Sequence, residues 1–173
     1  MLEIIFESHA TSTDNEKKIA SGWLDPPLSQ KGIEQAKEMG RRYVKEDFSH
    51  IYVSDLSRSF DTAQIAFGSQ SILKDARLRE WNYGQFNGFP VSEVDKLKID
   101  HAHIPFPGGE SLEQVINRFL SFEQECLKTG QILIIGHRAI YYCLEFLFRK
   151  TPMMNLLTTP WNWQPGWHYR RTL

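Results

Sequence analysis

Two kinds of apolar pattern alternate along the chain. Short unbroken runs, Ile4 to Phe6, Ile51 to Val53, Ile72-Leu73 and Ile132 to Ile135, are separated by longer stretches with apolar residues at helical spacing. Unbroken runs of this kind predict strands, and Ile72-Leu73 is a further short run that could add one. The longer stretches predict helices. Ser29 to Val44 has Ser29 as a cap and carries Ile33, Ala36, Met39, Gly40 and Tyr43 on one stripe. Ser57 to Phe67 is ended by Gly68, a helix opening at Glu110-Ser111-Leu112-Glu113 runs to Lys128 before Gly130, and another covers about Ala139 to Phe148. Alternating elements of this kind predict an α/β fold: a three-layer α/β/α sandwich around a mostly parallel central sheet, in a single domain over 1–173. Leu78 to Pro90 and His101 to Gly109 are rich in Gly, Pro, Asn or aromatic residues and are expected to be loops that carry function. The aromatic tail, Trp161 to Tyr169, has two readings: an edge strand at Trp167 to Arg171, or a segment folded over a site.

Charge changes this picture little. Lys+Arg of 20 against Asp+Glu of 21 leaves a formal net charge of −1, which draws the chain neither to nucleic acid nor to an anionic membrane. Arg170-Arg171 is only a small basic patch, so no nucleic-acid partner is expected. No run reaches the ~20 apolar residues of a membrane span, and the chain starts on a strand without a signal-peptide pattern. Cys126 and Cys143 fall in helical stretches without metal or redox spacing and read as free thiols. Together these features predict a soluble, cytoplasmic protein. His101, His103 and His168 lack the spacing of a ligand set, so they are read as solvated and no metal or cofactor is expected. A homo-oligomer is left open, through an edge strand or the Trp-rich tail.

Candidate chemistry begins where two apolar runs end. Ile4-Ile5-Phe6-Glu7-Ser8 leads into His9, and Ile132-Leu133-Ile134-Ile135-Gly136 leads into His137. Open α/β sheets bind ligands beyond the carboxyl ends of their strands, so two imidazoles there are expected to meet at one site. A lone histidine at such a place more simply caps its strand. Further motifs follow in order: Asn15; Gly22; Asp25 to Gly32; Ser54-Asp55-Leu56-Ser57-Arg58-Ser59-Phe60-Asp61-Thr62-Ala63; Leu78-Arg79-Glu80-Trp81-Asn82-Tyr83-Gly84; Pro107-Gly108-Gly109-Glu110-Ser111.

With Ser8-His9-Ala10-Thr11 in the place of Arg-His-Gly-Glu/Asp-Thr, the chain resembles the histidine phosphatase superfamily, which includes the cofactor-dependent phosphoglycerate mutases. The resemblance covers about residues 2 to 148 and implies a phosphoglycerate mutase-like fold. It also implies that His9 is the nucleophile that becomes phosphohistidine, that Arg58 and His137 cradle the phosphoryl group, and that Glu80 is the general acid and base. Asn15, and more weakly Ser21, are candidates to position the phosphate. The implied partner is a small-molecule phosphoester.

Two positions depart from the pattern. Ser8 stands where the family has arginine, and Ala10 where it has glycine. Loss of a charged contact of about 1.5–3 kcal/mol corresponds to roughly ten- to a hundredfold in binding or rate. Arg138, directly after His137, is expected to supply the missing guanidinium from the opposite side of the pocket. The leading expectation is a metal-free phosphomonoesterase. Its alternatives are a catalytically impaired pseudophosphatase that binds an anion or a protein, and a mutase, against which the family's longer mutase loops argue. The joint presence of His9, Arg58, Glu80 and His137 is taken to favour activity, since a binding module has no evident need of all of them. Trp81, Tyr83 and Phe86 point to a substrate with apolar surface, or else to packing.

Overall fold

Strands that are apolar on both faces need cover on both, and the helices supply it. The computed structural model describes residues 1–68 and 70–172. Along the chain, β1 (Leu2–Ser8) leads through α1 (Thr13–Glu16) and the short β2 (Ile19–Ala20) to α2 (Gln30–Arg42). Next come β3 (His50–Val53), α3 (Ser57–Phe67), β4 (Ile72–Lys74), β5 (Phe89–Pro90), α4 (Val91–Leu97) and α5 (Leu112–Cys126). The chain then forms β6 (Gly130–Gly136), α6 (Arg138–Phe148), α7 (Met153–Thr158) and β7 (Trp167–Arg171). The central sheet has the order β4-β3-β6-β1-β7. Its first four strands run parallel, and β7 lies antiparallel along β1. A separate antiparallel pair joins β2 to β5.

Side-chain alternation along the strands divides the core into two. Ile4, Phe6, Ile132 and Ile134 face α5 and α6, packing with Phe119, Phe122, Ile140 and Leu144. Ile5, Ile51, Val53, Leu133 and Ile135 face α2 and α3, packing with Met39, Ala63 and Phe67. Each fully buried side chain of this size is worth about 1.5–3 kcal/mol, so these two clusters dominate the folding energy.

The expected three-layer architecture is what the chain adopts, with differences at the loops. Between Leu78 and Pro90 the chain forms a tight turn at Gly84–Phe86 and then β5. Trp81 is completely buried, and its indole N–H donates to the Glu110 carbonyl at 2.7 Å, so it is a packing residue. Phe86 also packs on the core, whereas Tyr83 both packs there and lines the pocket described below. α5 stops at Cys126, two residues before the expected Lys128, because Leu127 leaves helical geometry to bury itself in the core. Gly130, with φ of +96°, opens β6 instead of ending the helix. Both readings of the tail hold: Trp167–Arg171 forms β7, while Trp161 and Trp163 line the pocket.

One close backbone approach seats α2 against the loop that follows β1. A Cβ on Gly32 would lie 2.0 Å from the Thr11 carbonyl oxygen, which also accepts from the backbone N–H and the hydroxyl of Ser29. Gly32→Ala is therefore expected to destabilise the fold by about 1–3 kcal/mol through overpacking. Thermal unfolding checks this as a fall in Tm of several degrees, at roughly 2–4 °C per kcal/mol for a chain of this size.

Candidate active site

The parallel register brings the two histidines together. Ser8 pairs with Gly136 at the ends of β1 and β6, and the His9 N–H continues the ladder to the Gly136 carbonyl at 2.8 Å. One residue beyond each strand, the His9 and His137 rings stand 4.9 Å apart, centroid to centroid. His9 Nδ1 lies 2.7 Å from the Ala10 carbonyl oxygen. A carbonyl only accepts, so Nδ1 carries the proton and Nε2 keeps its lone pair. Desolvation, reinforced by the Arg58 guanidinium and opposed by the Ala10 contact, lowers the His9 pKa to about 3.

His137 is completely buried, and its Nε2 lies 2.6 Å from the Ser54 hydroxyl at the end of β3. Its Nδ1 has no partner within the protein. Burial first, then Arg58 and His9, push its pKa well below the ordinary value. A buried ring nitrogen without a partner costs free energy unless a ligand satisfies it.

Arg58 sits in the first turn of α3 and is 2% exposed. Its terminal nitrogens donate to the Gly22 and Leu24 carbonyls, both at 2.8 Å. A guanidinium has five N–H donors, so others remain available to the pocket. A buried chain of bonds couples Arg58 to the nucleophile: the Ala10 N–H donates to the Thr62 hydroxyl at 3.0 Å, and that hydroxyl donates to the Arg58 carbonyl at 2.7 Å. Ala10 does not have the positive φ that would require glycine, so this departure from the family pattern is accommodated without strain.

Glu80 is placed by neighbours on two helices and in the loops beside it. One carboxylate oxygen accepts from the Trp81 N–H at 2.8 Å and from the Ala139 N–H at 3.1 Å. The second contact serves the open N-terminus of α6, where His137 makes no side-chain cap. Arg118 of α5 holds the loop from behind, donating to the carbonyls of Arg79 at 2.8 Å and Glu80 at 3.0 Å while pairing with Glu110. The Trp23 indole also donates to the Glu80 carbonyl, at 2.8 Å.

The remaining candidates line the same cavity, of about 860 Å³, together with His9, Arg58 and Glu80. The Asn15 side-chain oxygen accepts from the Ser12 N–H, which leaves its amide N–H groups for the pocket. Ser21 donates its hydroxyl proton to Asp14 at 2.8 Å, so in this arrangement it has none to give a phosphate. The Ser8 hydroxyl reaches only the neighbouring His9 carbonyl, at 3.5 Å. Arg138 turns its guanidinium to Asp95, at 3.3 Å, and lies over the rings of Tyr142 and Trp161. His137 flanks the cavity through its contact with His9 and is not among the lining residues.

Several participants carry little signal in the sequence. Ser54 and Thr62 lie inside the motif around Arg58, where a strand-end serine and a helical threonine facing the nucleophile's loop were the available signals. Arg118, Asp95 and Lys98 had no signal beyond their charge.

His101, His103 and His168 stay apart from the site. His101 stacks on Phe106 with centroids 3.8 Å apart, while His103 and His168 approach Glu113 and Glu3. Among the described residues, no three His, Cys, Asp or Glu side chains are grouped to hold a metal. No helix there is long and apolar enough to cross a membrane. Cys126 and Cys143 are free thiols, as expected.

Paired imidazoles, a buried arginine and a carboxylate at the carboxyl edge of a parallel sheet define an α/β pocket suited to anions. The chain belongs to the histidine phosphatase superfamily (branch 1), whose family model matches residues 4–162. It is 33% identical over 161 residues to phosphoserine phosphatase 1 of Hydrogenobacter thermophilus, covering 83% of this chain and 76% of the relative. It is 32% identical over 154 residues to a 2,3-bisphosphoglycerate-dependent phosphoglycerate mutase of Parvibaculum lavamentivorans, covering 78% and 73%. Among solved structures, a mycobacterial glucosyl-3-phosphoglycerate phosphatase in complex with VO3 superposes with a TM-score of 0.78 at 22% identity, over 92% of this chain and 88% of the other. That likeness bears on the fold.

Depressed pKa values keep both imidazoles uncharged in the folded protein. The unfolded chain binds the extra protons at higher pH, so the stability this contributes is present above about pH 6.5. It is lost as the pH falls toward the His9 value of about 3. Ring ¹⁵N shifts are expected to show His9 as a neutral Nδ1–H tautomer at pH 5. A ring that charges near pH 6.5 would contradict this geometry.

Proposed function

We propose that the chain is a phosphomonoesterase working through a phosphohistidine on His9. The observation that carries this reading is the pairing of a His9 ring whose Nδ1 is tied down, leaving Nε2 as the free nucleophile, with the partnerless Nδ1 of His137 beside it. His9 Nε2 attacks phosphorus as the ester P–O bond breaks. Glu80 gives its proton to the leaving oxygen. In the second step Glu80 takes a proton from water, the water oxygen bonds to phosphorus, and the P–N bond returns its electron pair to His9. Arg58, His137 and the Asn15 amide supply donors to the phosphoryl oxygens, where most of the catalytic stabilisation in such transfers arises.

Phosphatase and mutase relatives are almost equally similar at 33% and 32% identity, so similarity does not choose between hydrolysis and transfer. The α2 wall does favour hydrolysis: Glu34, Glu38 and Arg41 line the cavity yet remain exposed, which gives water a way in. A second reading, an anion-binding module without turnover, is favoured by Ser8, which brings no charge to the pocket.

Hydrolysis of a panel of phosphomonoesters in the presence of a chelator tests the proposal. His9→Ala is expected to abolish turnover. Glu80→Gln keeps an oxygen for the Trp81 and Ala139 N–H groups and removes only the proton carrier, so it is expected to lower kcat by about 10²–10⁴ while Tm stays nearly constant. Phosphate binding without turnover by the unaltered chain would establish the second reading.

A further inference from the structure

The cavity is far larger than a phosphate group, and part of its wall holds cations that the proposed chemistry does not use. Lys98, at the C-terminal end of α4, is 4% exposed and lines the cavity. Its ammonium pairs with Asp95 at 2.7 Å and lies 5.2 Å from the centre of the Tyr83 ring. Arg138 pairs with the same carboxylate at 3.3 Å, and its Nε is buried without a partner. One carboxylate therefore serves two cations. Lys98 is nearly desolvated and Arg138 partly so, and Glu80, the other carboxylate acting on Lys98, bonds to the Trp81 and Ala139 N–H groups; buried cations that share their counter-charge in this way are costly unless a further anion completes the pairing. An ammonium has three donors and a guanidinium five, so the donors for an incoming anion are already in place.

We propose that Lys98 and Arg138 form a subsite for a second anionic group of the substrate, a carboxylate or a second phosphate. This rests on the phosphomonoesterase reading for the first group. Asp95 positions the two cations, and Tyr83 and Trp161 flank them as apolar walls. Arg138 then serves the far end of the substrate, instead of replacing the guanidinium missing at Ser8.

The test compares kcat/KM within matched pairs: 3-phosphoglycerate against glycerol 3-phosphate and O-phosphoserine against O-phosphoethanolamine for the carboxylate, and fructose 1,6-bisphosphate against fructose 6-phosphate for the second phosphate. The unaltered protein is expected to prefer the member with the extra anion by roughly tenfold or more in at least one pair, as one charged contact predicts. That ratio is expected to fall toward one in Lys98→Met and in Arg138→Leu, and whichever pair shows it identifies the anion. No preference in any pair, or a preference that both variants retain, overturns the subsite. If no ester turns over, the phosphomonoesterase reading fails by itself, and isothermal titration of the same pairs still decides the subsite. Tighter binding of the anion-bearing member, lost in Lys98→Met, supports it, and equal binding within every pair overturns it.

Discussion

The parallel register between β1 and β6 is the constraint on which the site depends. Because Ser8 stands opposite Gly136, His9 and His137 leave the sheet at the same level. A shift of one residue would separate the rings and also turn Ile4 and Phe6 out of one core and into the other. The apolar alternation that divides the two cores therefore also holds the imidazoles in contact. Folding energy and site geometry are set by the same side chains.

Around that pair the other groups are held by hydrogen bonds from different elements. Thr62 ties the loop after His9 to the carbonyl of Arg58, Ser54 holds His137 from β3, and Arg118 fixes the Glu80 loop from α5. Positions set from rigid helices and strands change little when a ligand arrives, and electrostatic stabilisation of a transfer requires such preorganisation.

β1, β3, β6 and the four longer helices were legible from the sequence because each buries a continuous stripe or run, and β4 was legible as an apolar run although it lies half-exposed at the sheet edge. α1, β2, α4 and α7 were not, since elements this short carry too few residues to show a period. His9, Arg58, Glu80 and His137 were legible because motif and strand end coincide. Lys98 was not: in the run Asp95-Lys96-Leu97-Lys98 it has the pattern of a solvated helix end, and only the tertiary structure, which sets it against the Tyr83 ring, shows it to be buried. Trp81 was open between substrate wall and packing, because an aromatic in a glycine-rich loop fits either until Glu110 is seen to satisfy its indole N–H.

Glu80 fills an open helix start as well as facing the pocket. Arg58 closes two backbone carbonyls of the neighbouring loop, and His137 closes a strand-end serine. A binding module built on this fold would therefore have reason to keep all three, and their joint presence is weaker evidence for turnover than the sequence alone implied. Among these groups only His9 has a side chain that bonds to no other element, its ring being held by the adjacent Ala10 carbonyl alone. Drift toward an inactive descendant would be expected to erase that imidazole first and leave the rest of the site as an intact relic.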